Sequence, residues 1–270
     1  MTRKQEIGWI SVLLIGVAVL VFWKSCASTV RAQAGLRSPS FVASLNPRAG
    51  VSFTPDLIET FDTTSPNGTN GNGYDLAWAE GGPGTAPNED YTTTILQGTE
   101  SLEWENVGNT SWASLDLRGT THTNRHFERL LLRVNSTTQL SDFTIWSMTE
   151  SNVGDTASIK LTTTNTLVAT HGSVAHSSTN ALAQNTIYYV WLEYQYNVSG
   201  QSTGIITAAY STSNVRPTDI NAGSVASVTA GNDANLPNHL YLRNEATSAG
   251  RTLIMDHWFL SGSQHVPDGY

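Results

Sequence analysis

Arg129, Arg133, Trp146, Tyr189, Trp191, Glu193 and Gln195 are the side chains best equipped for chemistry in this 270-residue sequence. Flat aromatic rings cover sugar C–H groups, and planar guanidinium, carboxylate and amide groups hydrogen-bond sugar hydroxyls. Together they make a kit for holding a carbohydrate on one surface. The other reading of Trp146 and Trp191 is burial, because large aromatics dominate cores. For Arg133 and Glu193 the alternative is a cross-strand ion pair, which contributes little if exposed.

Signals for covalent or metal chemistry are sparse. Glu103 and Glu105, in Glu100-Ser-Leu-Glu103-Trp-Glu105, stand two apart and share one face of a strand, as a carboxylate pair or as a solvated edge. His122 and His126 are four apart, roughly 13 Å along a strand, too far to share a metal. His171 and His176 have no third ligand nearby in the sequence. There is neither a Gly-x-Ser-x-Gly elbow nor a phosphate-binding loop. Asn67, Asn109, Asn135 and Asn197 head N-x-Ser/Thr sequons, which a Thr/Asn-rich chain also produces by chance. Cys26 is the only cysteine, so no disulfide framework exists.

Charge narrows the partners. The formal net charge is −8; without residues 1–34 the chain loses Arg3, Lys4, Lys24 and Arg31 against Glu6 and stands at −11. Lys160 is then the only lysine, and the sequence lacks the basic run that binds nucleic acid.

The elements that must carry these residues are strands. Ile187–Tyr196 alternates: Tyr188, Val190, Leu192, Tyr194 and Tyr196 face one way, Tyr189, Trp191, Glu193 and Gln195 the other. Phe127–Val134 sends Leu130, Leu132 and Val134 to the core and Arg129, Leu131 and Arg133 outward. Asp142–Thr149 is expected to turn Phe143 and Ile145 inward and Thr144, Trp146 and Met148 outward. Further strands are predicted at Ser101–Glu105, Ala113–Leu117, Ala157–Thr162, Gly204–Tyr210, His239–Arg243 and Leu253–Leu260. Gly/Asn-rich loops at Thr63–Gly73 and Glu80–Asp90 separate them. No helical period lasts ten residues after the leader, so the fold class is all-β, a sandwich or barrel.

The chain opens with an apolar helical run, Ile7–Trp23, flanked by Arg3 and Lys4 before it and Lys24 and Arg31 after it. Seventeen apolar residues suit either a signal peptide cleaved after Ala32-Gln33-Ala34 or an uncleaved membrane anchor. Cys26 as a lipid anchor and a pilin-like helix fit less well; Ser38-Pro39 and Asn46-Pro47 break any long helix. The expected organisation is 1–34 leader, 35–56 lead-in and 57–270 sandwich, secreted or held at the cell surface.

The order of segments resembles the concanavalin A-like lectin/glucanase superfamily (LamG-like jelly roll). The likeness runs from Glu59-Thr60-Phe61-Asp62 through Glu100-Ser101-Leu102, Phe127–Val134 and the Tyr-Tyr-Val-Trp-Leu-Glu-Tyr segment from Tyr188 to the closing strand Ile254–Gly262. It implies a two-sheet antiparallel jelly roll with a concave binding face and paired first and last strands. It also implies a structural calcium ion, which Glu59, Asp62 and Asp256 would hold through carboxylate oxygens; the other reading of Asp256 is a satisfied hydrogen-bond acceptor. The E-x-D-x-x-E strand of the superfamily's glycosidases is incomplete here, since the central Asp is missing, and the lyase signatures are absent. The expectation is a glycan-binding or adhesion module, with a structural surface or phage-type particle protein and a polysaccharide-cleaving lyase or glycosidase as alternatives. Trp191→Ala is expected to abolish binding with little loss of stability.

Overall fold

The computed structural model describes residues 53–62, 76, 78–81, 88–105, 111–118, 124–135, 142–150, 153–196, 204–231, 239–244 and 252–270. Residues 1–52, with the leader and its apolar run, and the whole of Thr63–Gly73 lie outside the described residues. Fifteen strands and no helix are found among them.

The strands form two antiparallel sheets. The first runs β13(Val225–Gly231), β12(Gly204–Ser211), β11(Ile187–Gln195), β6(Arg125–Val134), β15(Thr252–Ser261), β4(Ser101–Glu105) and β3(Asn88–Tyr91), with β1(Leu57–Glu59) also on β15. The second runs β10(Val174–Ser177), β9(Leu167–His171), β8(Val153–Leu161), β7(Phe143–Glu150), β14(His239–Asn244), β5(Ser111–Asp116) and β2(Ala79–Gly81). The all-β sandwich read from the sequence is therefore the architecture. The first and last described strands do pair, with Leu57 opposite Leu260 and Glu59 opposite Trp258.

Alternation fixes the core where strands are regular. Leu130, Leu132 and Val134 of β6 and Tyr188, Val190, Leu192 and Tyr194 of β11 all enter one buried cluster with Leu253, Met255 and Leu260. Their outward neighbours form the opposite face of the eight-stranded sheet. The period-2 reading works on these two strands because neither carries a bulge against the other.

It fails on β7. The register against β8 slips between Thr144 and Trp146, and against β14 between Tyr241 and Arg243, which pair with Ser147 and Thr144. One extra residue inverts the phase of everything after it. Trp146 and Met148 therefore join Phe143 and Ile145 in the core. The placement of Trp146 on the outward face is corrected on this ground: it belongs to the other sheet and points between the two.

The predicted strand set also lacked β2, β3, β9, β10 and β13. β9 and β10 form a hairpin whose turn is Gly172-Ser173, with Gly172 at φ 58°. Leu167–His171 is only five residues long, and so short a run gives alternation little to mark it as a strand.

Candidate functional site

β6 and β11 lie side by side with Trp191 opposite Arg129, Tyr189 opposite Leu131, Glu193 opposite Phe127 and Gln195 opposite Arg125. This register brings Arg129, Arg133, Tyr189, Trp191, Glu193 and Gln195 onto one face, the outer face of the eight-stranded sheet. Trp146 is the one member of the sequence-predicted set that is elsewhere.

The face is covered along its centre by the chain's own C-terminal segment. Val266 packs with Phe53 and Phe259, and Tyr270 stands edge-on to both rings at 4.8 and 5.6 Å. The His265 ring lies 4.3 Å from that of Phe127. On this face Arg129, held by Tyr270, is 0% exposed and Trp191 1%. Trp191 is buried on the outer face and does not belong to the core cluster between the sheets. The expectation that Trp191→Ala leaves stability intact is corrected accordingly: full burial of an indole makes its removal expensive.

Arg129 has an unusual environment. Its Nη1 donates to Asn214 Oδ1 at 3.0 Å and to the main-chain oxygen of Tyr270 at 2.7 Å. Asn214 Nδ2 donates to the same Tyr270 oxygen at 2.9 Å, closing a triangle. The guanidinium carbon sits 5.6, 5.0 and 6.0 Å from the ring centres of Tyr189, Phe259 and Tyr270. No Asp or Glu side chain pairs with it among the described residues. Burial therefore pulls its pKa down to about 10, against weaker support from Tyr189 and Tyr270.

The rim is wetter. Glu193 accepts from Arg125 at 2.9 Å, and His265 Nε2 lies 3.3 Å from its other oxygen. The hydrogen bond from His265, then that from Arg125, holds its carboxyl below the usual carboxylate range despite partial burial. Arg133 is not its partner: that side chain faces Ile187 across the ladder and donates to Asn185 Oδ1 at 3.3 Å. Tyr189, Gln195 and Arg133 are partly exposed.

The three carboxylates expected around calcium occupy different places. Glu59 is fully buried and points into the core, accepting from Trp78 Nε1 at 3.1 Å and from the main-chain N–H groups of Leu76 and Phe61. Asp256 faces the opposite side of the sheet and accepts from Ser101 Oγ at 2.9 Å and the Gln97 N–H at 2.7 Å. Asp62 accepts from the N–H groups of Thr99 and Glu100. Among the described residues no three His, Cys, Asp or Glu side chains are grouped to hold a metal ion.

Two polar clusters rest on Glu128 and His257, which the sequence did not single out. In the first, Glu128, fully buried between the sheets, accepts from Trp146 Nε1 at 2.7 Å and Trp258 Nε1 at 2.6 Å, with His126 Nε2 at 2.8 Å. It ties one sheet to the other. In the second, the β15 register slips between Asp256 and Phe259, and His257 sits at the bulge with φ 44°. Its Nδ1 is 2.8 Å from Asp256 Oδ1, so the carboxylate can orient the ring. Burial raises the Asp256 pKa, opposed by bonds from His257, Ser101 and Gln97. Ser101 donates to Asp256 and not to the imidazole, so this is no nucleophile–base pair. Glu103 is partly buried on β4, and the side chain of Glu105 lies outside the described set.

No family model and no curated protein matches the chain. Among solved structures, a botulinum neurotoxin type G receptor-binding domain is similar over 78% of this chain and 48% of its own, at 10% identity and a TM-score of 0.46. A sialidase of Trypanosoma rangeli matches over 63% of this chain and 26% of its own, at 12% identity and a TM-score of 0.43. A further sialidase matches over 69% and 17%, at 10% identity and a TM-score of 0.46. The chain thus spans less than half the length of each of these proteins.

Proposed function

We propose that the chain is a surface-exposed or secreted glycan-binding module of concanavalin-like jelly-roll type, acting through the outer face of β6 and β11. The observation that carries this is the cross-strand register that lines Arg129, Arg133, Tyr189, Trp191, Glu193 and Gln195 on one surface. Aromatic rings beside planar polar groups suit sugar faces and hydroxyls. Tyr189, Glu193, Gln195 and Arg133 form the accessible rim; Trp191 and Arg129 form the covered floor. A glycan array probed with the full chain tests the reading. Binding that falls at least tenfold in Tyr189→Ala, with an unchanged melting temperature, supports it; no glycan binding on a broad array overturns it. Running the array in calcium and in EDTA tests the ion expected from Glu59, Asp62 and Asp256.

The Asp256–His257 pair favours a second reading, a polysaccharide-cleaving enzyme with His257 as base. A non-glycine residue at positive φ costs energy and is often kept for function. Release of reducing ends or unsaturated products by the wild type but not by His257→Ala would establish it, and inert wild-type protein would remove it.

A further inference from the structure

The covered floor of the face is rich in donors and poor in acceptors. Arg129 spends Nη1 on Asn214 and Tyr270, but its Nε and Nη2 are buried with no hydrogen-bond partner. Those two nitrogens form the side edge of the guanidinium, the fork that meets both oxygens of a carboxylate in parallel bonds. Trp191 Nε1, directly across the ladder, is likewise buried and unpartnered. Arg133 Nε, four residues along the same strand, is a further buried donor without an acceptor. Buried donors are rarely left unmet, and those that are call for an explanation. An indole N–H and a guanidinium edge can only donate, so what satisfies them must accept.

Charge points the same way. The chain carries 14 Lys and Arg against 22 Asp and Glu, yet β6 alone places Arg125, Arg129 and Arg133 on this face. Glu193 answers only Arg125 and His265. Arg129 and Arg133 are left without an Asp or Glu partner among the described residues.

We propose that this floor is a carboxylate site, and that the module's ligand is an acidic polysaccharide whose sugar carboxylate sits on the Arg129 Nε/Nη2 edge and the Trp191 indole N–H. The inference rests on the glycan-binding reading and names its ligand class. Tyr270 must move for entry, because Arg129 and Trp191 are closed to solvent and Tyr270 sits on Arg129. The Tyr270 main-chain oxygen already sits on Arg129 as an acceptor, and Asn214 pins it there. Breaking that pin should therefore ease access without removing any donor of the site.

The test is affinity electrophoresis and calorimetry of the full chain with polygalacturonate, neutral dextran and dextran sulfate. The expected result is binding to polygalacturonate, weaker binding to dextran sulfate and none to dextran. Arg129→Lys keeps the charge but loses the fork, and should weaken polygalacturonate binding about tenfold or more. Trp191→Phe should weaken it severalfold, and Asn214→Ala should speed association. Thermal melts identify a variant that fails to fold, and the partly exposed Arg133→Gln then stands in, with a severalfold loss expected. Equal binding of dextran sulfate and polygalacturonate, insensitive to Arg129→Lys, overturns the carboxylate site in favour of bulk charge. Binding to neutral glycans alone overturns it while leaving the glycan face intact. Binding to no polymer and no array glycan removes both.

Discussion

Glu128 accepts two indole N–H groups from different strands while fully buried, so its value depends on both lone-pair sets being used. Glu128→Gln turns one acceptor into a donor facing an indole, and urea unfolding should show a loss of about 1–3 kcal/mol. On the outer face, the lowered pKa of Glu193 means that the native state holds this proton less tightly than the unfolded chain does. Its stabilisation is therefore complete above the unperturbed value of 4.5 and is lost as pH falls through the lower folded value. The melting-temperature gap between wild type and Glu193→Gln should be flat from neutral pH to about 5 and close in more acidic buffer. A gap that widened in acid would contradict the hydrogen bonds assigned to His265 and Arg125.

At the scale of elements, bulges and terminal segments decide which alternation survives. On β6 and β11 the aliphatic and polar sets could be read from sequence because both strands run without a bulge against each other. β7 could not, since no residue type announces the slip at Ile145. The C-terminal segment has the same character: Val266 is an ordinary valine in sequence and almost fully buried on β15 in the fold. Val266→Asp would place an unpaired charge against Phe53 and Phe259, so a loss of several kcal/mol in urea unfolding is expected. Trp191→Ala should itself cost about 3–5 kcal/mol in chemical unfolding. Gly204, opening β12, is tighter still, because a Cβ there would meet the His171 ring at 2.2 Å. Gly204→Ala should lower stability by about 1–3 kcal/mol.

Across the whole molecule, the decisive pairings are remote in sequence. Leu57 pairs with Leu260, and β4 and β6 both pair with β15. Such contacts repay their loop-closure entropy late. Refolding followed by stopped-flow fluorescence is expected to take on the order of seconds or longer; completion within a millisecond would count against this topology. Once formed, the closing strand touches both functional candidates, since β15 carries the Asp256–His257 bulge and floors the C-terminal segment through Phe259.

Composition and period-2 alternation are local properties, and by themselves they determined an all-β chain, most of its strands and the inward sets of β6 and β11. They also picked out Arg129, Arg133, Tyr189, Trp191, Glu193 and Gln195, because residues on one face of a strand can be counted without knowing its neighbours. Only the tertiary structure decided what those residues meet. It paired Glu193 with Arg125 and His265 instead of Arg133, turned Trp146 inward through a bulge, and set Glu59 and Asp256 on opposite faces. It also set Tyr270 against Arg129 and closed Trp191 off from solvent. Partners brought from 50 to 200 residues away leave no mark on local sequence, and burial of a donor is visible only once its cover is in place.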